Sequence, residues 1–103
     1  MSNLTQNTIA NLLQAKREEI IAIAAKHGAF NVRVFGSVAR NEADAESDID
    51  FLVDYSVEDI SPWFPAGLML DLEALLGKKV DIATEAALKD RIRERVLEEA
   101  IAL

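Results

Sequence analysis

Apolar positions along this chain change their spacing, and each change marks an element. Between Thr5 and His27, the residues Ile9, Leu12, Leu13, Ile20, Ile23 and Ala24 recur close to helical spacing. Gly28 follows as a stop signal, so the segment predicts a helix. Phe30 to Phe35 switches to strict alternation, with Phe30, Val32 and Val34 against Asn31 and Arg33, which predicts a strand. Gly36-Ser37 breaks that strand, and Ser37 to Arg40 has room for one helical turn. A polar, acidic loop runs from Asn41 to Ser47, and Asp48 to Val53 returns to strand character.

A second polar loop covers Tyr55 to Asp59. Helical signals resume at Ser61, where Pro62 suits a first helical position. Phe64, Leu68, Leu72, Leu75 and Leu76 give that helix a core face before Gly77 ends it. Lys79 to Ala83 predicts a short strand. Asp90 to Leu103 predicts a charged amphipathic helix with Ile92, Val96, Ala100 and Leu103 along one side. The expected architecture is therefore α+β (α/β), a small mixed three-stranded sheet with helices packed on it, over residues 1–103 as a single domain.

Composition narrows the chemistry. With 50% hydrophobic residues in 103, the chain can bury a real core. The absence of Cys removes disulfides, thiolate metal sites and cysteine nucleophiles. His27 is the only histidine, so multi-histidine metal sites are excluded. It stands beside Gly28 as a helix-end residue, favourable near the C-terminal dipole. The longest apolar run, Ile20 to Ala25, is far shorter than the ~20 residues that span a bilayer. No basic region with an apolar block opens the sequence, so a cytoplasmic location without membrane contact is expected. A net charge of −7 argues against direct nucleic-acid binding, which draws its affinity from Lys and Arg.

What remains is chemistry by carboxylates, hydroxyls and a few basic groups. In a strand, residues two apart share a face, so Asp48 and Asp50 project together while Ile49 and Phe51 face the core. Two carboxylates so close repel, and a hard cation such as Mg²⁺ relieves the repulsion. Carboxylates opening an otherwise apolar strand are costly unless something pairs with them. After the preceding strand, Gly36 permits close backbone approach, and the following amides with the Ser37 hydroxyl can bind phosphate oxygens. Arg40 adds a positive charge on the same side of that turn. Asp81 is the only acidic residue of its short strand. It either completes a three-carboxylate metal site or pairs at a sheet edge with Lys78 or Lys79. Those two lysines suit phosphate contact or charge balance for Asp81.

Together, these residues resemble the nucleotidyltransferase superfamily of DNA polymerase β in its minimal, stand-alone form. The shared pattern is a strand, Gly-Ser, a short helix, Asp-x-Asp, and later a third Asp on another strand. Gly36, Ser37, Asp48, Asp50 and Asp81 match it, and Arg40 fits the Gly-Ser-x-Ala-Arg variant of the minimal proteins. The likeness extends to Ile92-Arg93-Glu94-Arg95 and Glu98-Glu99-Ala100. One departure is Asn41, where those proteins usually carry Gly. Asn tolerates left-handed dihedrals, so the turn is expected to survive.

The resemblance implies nucleotidyl transfer from ATP by a two-ion Mg²⁺ mechanism. In it Asp48 and Asp50 bridge the metals, while Asp81 holds the metal that activates the acceptor hydroxyl. The Gly36 amides and Ser37 would hold the β- and γ-phosphates, with Arg40 as a supplementary contact. The resemblance further implies an antitoxin that transfers AMP to a tyrosine of a HEPN-domain ribonuclease toxin, in a hetero-oligomer with it. A catalytically inactive module of the same fold, neutralising its partner by occlusion, is the alternative. The shortness suggests a catalytic core without its own acceptor-binding domain. Trp63, Phe64, Pro65, Met69 and Leu70 make the third helix apolar on more than one face, as a deeply buried helix or a partner surface would be.

Overall fold

A computed structural model of the chain describes residues 8–44 and 46–103. Its elements run α1 (Thr8–Ala15), α2 (Arg17–Lys26), β1 (Ala29–Phe35), β2 (Ile49–Tyr55), α3 (Ala66–Leu76), β3 (Val80–Ala83), α4 (Asp90–Glu99) and β4 (Ile101–Ala102), with a 3-10 turn at Glu85–Ala87. The strands form one mixed sheet in the order β3-β2-β1-β4. β1 runs antiparallel to β2 and β4, whereas β2 and β3 are parallel and joined through α3.

The expected α+β class holds, with four strands among the described residues rather than three. The extra strand comes from the expected last helix, which stops at Glu99. Ala100 turns extended (φ −62°, ψ 137°), and Ile101 and Ala102 then pair with Val34 and Arg33. Without them that stretch of β1 would leave backbone donors and acceptors unpaired. Leu103 completes the match by donating its N–H to the Val32 carbonyl at 3.0 Å.

The first helix bends at Lys16 instead of running unbroken, although Ile20 N–H still reaches the Lys16 carbonyl at 2.9 Å. Its expected start at Thr5 lies outside the described residues. Ile9, Leu13, Ile20 and Ala24 bury their side chains as the spacing requires. The third helix begins at Ala66, later than Ser61, after turns over Pro62 to Pro65. Pro65 has no N–H to donate and biases Phe64 away from helical dihedrals, so the helix starts behind it. The clean alternation expected in β1 also fails at its start. Asn31 takes φ 50° and the pairing shifts between Phe30 and Arg33, a bulge that leaves Phe30 exposed and Ala29 buried.

β2 is the centre of the molecule. Ile49, Phe51 and Val53 are fully buried in a core that includes Leu68, Leu72 and Leu76 of α3 and Val80 of β3. At one end of the sheet, this packing holds the start of β2 rigidly between the end of β1 and the start of β3.

Candidate active site

Cross-strand register sets the geometry of that end. Phe35 pairs with Asp50, and Asp50 pairs with Asp81. Residues directly opposite in a sheet share a face, so Asp50 and Asp81 project side by side. The chain leaves β1 at Gly36-Ser37, next to the same carboxylates. Asp48 precedes the strand and is exposed, whereas Asp50 is half-buried. The expected strand start at Asp48 shifts to Ile49, the charge of Asp48 still acts on Asp50, and the register adds Asp81.

Gly36 has φ 71°, and a Cβ at this position would collide with Asp50 Oδ2. The dihedral favours glycine, and the contact with the end of the Asp50 side chain shows how closely the turn abuts the carboxylate. Ser37 to Arg40 form successive turns rather than a regular helical turn. Arg40 N–H donates to the Gly36 carbonyl at 3.1 Å, and Glu42 N–H to the Ser37 carbonyl at 2.8 Å. Asn41 closes the turn at φ 58°, the left-handed conformation anticipated from its residue type.

The Asp50 carboxyl is pushed up to about 6. Burial is the largest cause, followed by the charges of Asp81 and Asp48 and by a hydrogen bond to Asp81. Arg40 offsets this only weakly, because its guanidinium is committed elsewhere. Its Nε donates to Glu42 Oε1 at 2.9 Å, and its Nη1 reaches both Glu99 oxygens at 3.1 and 3.2 Å. Those two partners also raise the Arg40 pKa.

The donor set suits a hard divalent cation. Asp50 and Asp81 are hydrogen-bonded neighbours that repel when both are ionised, and Asp48 adds a third oxygen donor nearby. Among the described residues no three acidic or histidine side chains converge into a finished cage. Carboxylate oxygens of this kind suit Mg²⁺, which retains water and takes its remaining ligands from substrate phosphate. A polar cavity of about 450 Å³, lined by Glu46, Ser47, Asp48, Gly77, Lys78 and Lys79, opens beside Asp48. It places the two lysines on the Asp48 side of the site.

Residues 17–103 match the family model described as a nucleotidyltransferase domain. The chain belongs to the nucleotidyltransferase family. Its relatives include Protein adenylyltransferase MntA of Thermococcus cleftensis, 38% identical over 98% of both chains. A protein of Methanocaldococcus jannaschii, provisionally named a protein adenylyltransferase, is 41% identical over 88% of this chain and 96% of its own length. A solved structure provisionally assigned as a minimal nucleotidyltransferase superimposes with a TM-score of 0.79 at 50% identity, over 90% of this chain and 94% of that one. A crystal structure of a toxin–antitoxin with AMP-PNP shares the fold at a TM-score of 0.61 and 18% identity, over 94% of this chain and 70% of that one.

Two features of this nucleotidyltransferase fold escape sequence reading. Glu99 stood in the sequence within a charged helix and within the Glu98-Glu99-Ala100 likeness, but neither placed it at the Gly36 turn, which it reaches. A further sequence signal is the acidic pair, Glu98-Glu99, at a helix C-terminus, where the dipole disfavours negative charge. His27 is a helix-end residue as expected, but it also joins helices. Its Nε2 lies 2.7 Å from Asp71 Oδ2 and its Nδ1 lies 3.1 Å from Ser61 Oγ. Among the described residues no helix is long and apolar enough to cross a membrane.

Proposed function

We propose that this nucleotidyltransferase transfers AMP from ATP to a hydroxyl of a partner toxin and thereby neutralises it. The acceptor is a tyrosine of a HEPN-domain ribonuclease, with which the chain forms a hetero-oligomer. The observation that carries the reading is the row Gly36, Asp50, Asp81, where the phosphate-type turn abuts paired carboxylates. Full-length similarity to a protein adenylyltransferase supports the protein acceptor.

The roles follow from position. Ser37 and the turn amides hold the β- and γ-phosphates and leave the α-phosphorus toward the carboxylates. Arg40 contributes positive charge at the same turn. Asp81, exposed at the edge strand, accepts the proton of the incoming hydroxyl. The hydroxyl oxygen bonds to the α-phosphorus, the bond from that phosphorus to the β-phosphate oxygen breaks, and pyrophosphate leaves. Two Mg²⁺ ions held by Asp48, Asp50 and Asp81 would neutralise the triphosphate and acidify the acceptor hydroxyl.

The exposed apolar side chains Trp63 and Leu70, 77% and 59% accessible, also favour neutralisation by docking alone. One experiment separates the readings. The chain is incubated with Mg²⁺, ATP and a cognate HEPN-domain toxin, and intact masses are measured. AMP-sized increments on the partner, lost with Asp48→Asn plus Asp50→Asn, support transfer. No increment, with neutralisation intact in that double variant, would replace transfer with occlusion.

A further inference from the structure

Glu99 holds the two donors that a phosphate group would want. Gly36 N–H donates to its Oε2 at 3.2 Å, while Arg40 Nη1 bridges both of its oxygens. The fold brings it there. Ile101 pairs with Val34 in antiparallel register, so two residues back along one strand falls beside two residues on along the other, Gly36. The Glu99 side chain is only 17% exposed. A carboxylate at the C-terminal end of α4 is opposed by the helix dipole, so its placement depends on these partners.

A backbone amide with a guanidinium is also a phosphate-binding set. We propose that Glu99 is a built-in competitor for the phosphate site, a carboxylate that occupies Gly36 and Arg40 in the nucleotide-free chain and yields them to a polyphosphate. This inference rests on the nucleotidyl-transfer reading. A triphosphate must take both donors from Glu99 and overcome its charge, and only a highly charged ligand does so. A monophosphate lacks the charge to compete. Nucleotide entry is therefore an exchange of one anion for another, and Glu99 sets the threshold. A purely structural clamp makes the opposite demand, since loosening it would disorder the turn and weaken binding.

The test is titration of the full chain, as wild type and as Glu99→Gln and Glu99→Ala, with inorganic tripolyphosphate and with AMP, each with Mg²⁺. Calorimetry reads affinity, and the amide resonance of Gly36 reads the exchange. The proposal expects tripolyphosphate to bind Glu99→Gln about tenfold more tightly than wild type, the size of one charge-assisted hydrogen bond. AMP, which leaves the Glu99 contacts in place in the wild type, should gain less than tripolyphosphate does. In the wild type the Gly36 resonance should move with tripolyphosphate and stay still with AMP, which tests the exchange even if both variants fold poorly. Unchanged or weaker binding by a folded Glu99→Gln, or a Gly36 resonance that ignores bound tripolyphosphate, would overturn the role of Glu99 and leave the nucleotide site standing. Failure of every form to bind tripolyphosphate or Mg²⁺-ATP would overturn both.

Discussion

At Asp50, burial and two neighbouring carboxylates hold a proton to about pH 6. The folded chain therefore binds more protons than the unfolded chain between the ordinary aspartate value and about 6. By linkage, this residue's contribution to stability falls as pH rises through that window. Asp50→Asn should consequently raise the melting temperature of the metal-free chain at neutral pH and leave it nearly unchanged at about pH 4. Thermal denaturation across that range reads the effect, and a gain of equal size at both ends would contradict it. Mg²⁺ held there, as proposed, would compete with the same proton, so its affinity should drop as pH falls below about 6, measurable by calorimetry. Gly36→Ala meets both a left-handed φ and the Asp50 carboxylate. It should cost about 1–2 kcal/mol from the dihedral alone, with a further loss from the collision, read by urea denaturation. Gly36 and Asn41 were legible because their residue types announce left-handed backbone. Asn31 was not, because alternation in β1 hides a bulge that only pairing with β2 exposes.

Among elements, β2 carries the packing and its neighbours carry the chemistry. Phe51→Ala removes a fully buried ring and should destabilise by about 3–5 kcal/mol, whereas Leu70→Ala on the open face of α3 should change little. Denaturant midpoints compare them directly. α2 and α3 are joined through His27 and Asp71, and the hydrogen bond to His27 lowers the Asp71 pKa. A lowered carboxylate pKa gives stability that is present above the unfolded value and is lost as pH falls through the folded one. Asp71→Asn should therefore narrow the gap to wild type as the solution is acidified below about pH 4, as read by chemical denaturation. Helix and strand order could be read from periodicity, since buried faces impose it. The final strand could not: two residues are too few to show a period, and Ile101 is placed by the open edge of β1. Glu99 was hidden for the same reason, because its neighbour Gly36 is distant in sequence and is reached only through β4.

For the whole molecule, the net charge of −7 gives a misleading forecast of how a triphosphate is met. Part of that charge is the aspartate row, which a bound divalent cation would make locally less negative. Another part, Glu99, is already neutralised by Arg40 and the Gly36 amide. The candidate site residues were legible as types and spacings, but their meeting at one end of the sheet follows from the register β1-β2-β3. The proposed transfer of AMP to a partner protein through these carboxylates would leave a mass change on that partner. It is read by the intact mass of a cognate HEPN-domain toxin after incubation with this chain, Mg²⁺ and ATP. AMP-sized increments that disappear with Asp48→Asn plus Asp50→Asn are expected. An unmodified partner, silenced equally by wild type and the double variant, would contradict it.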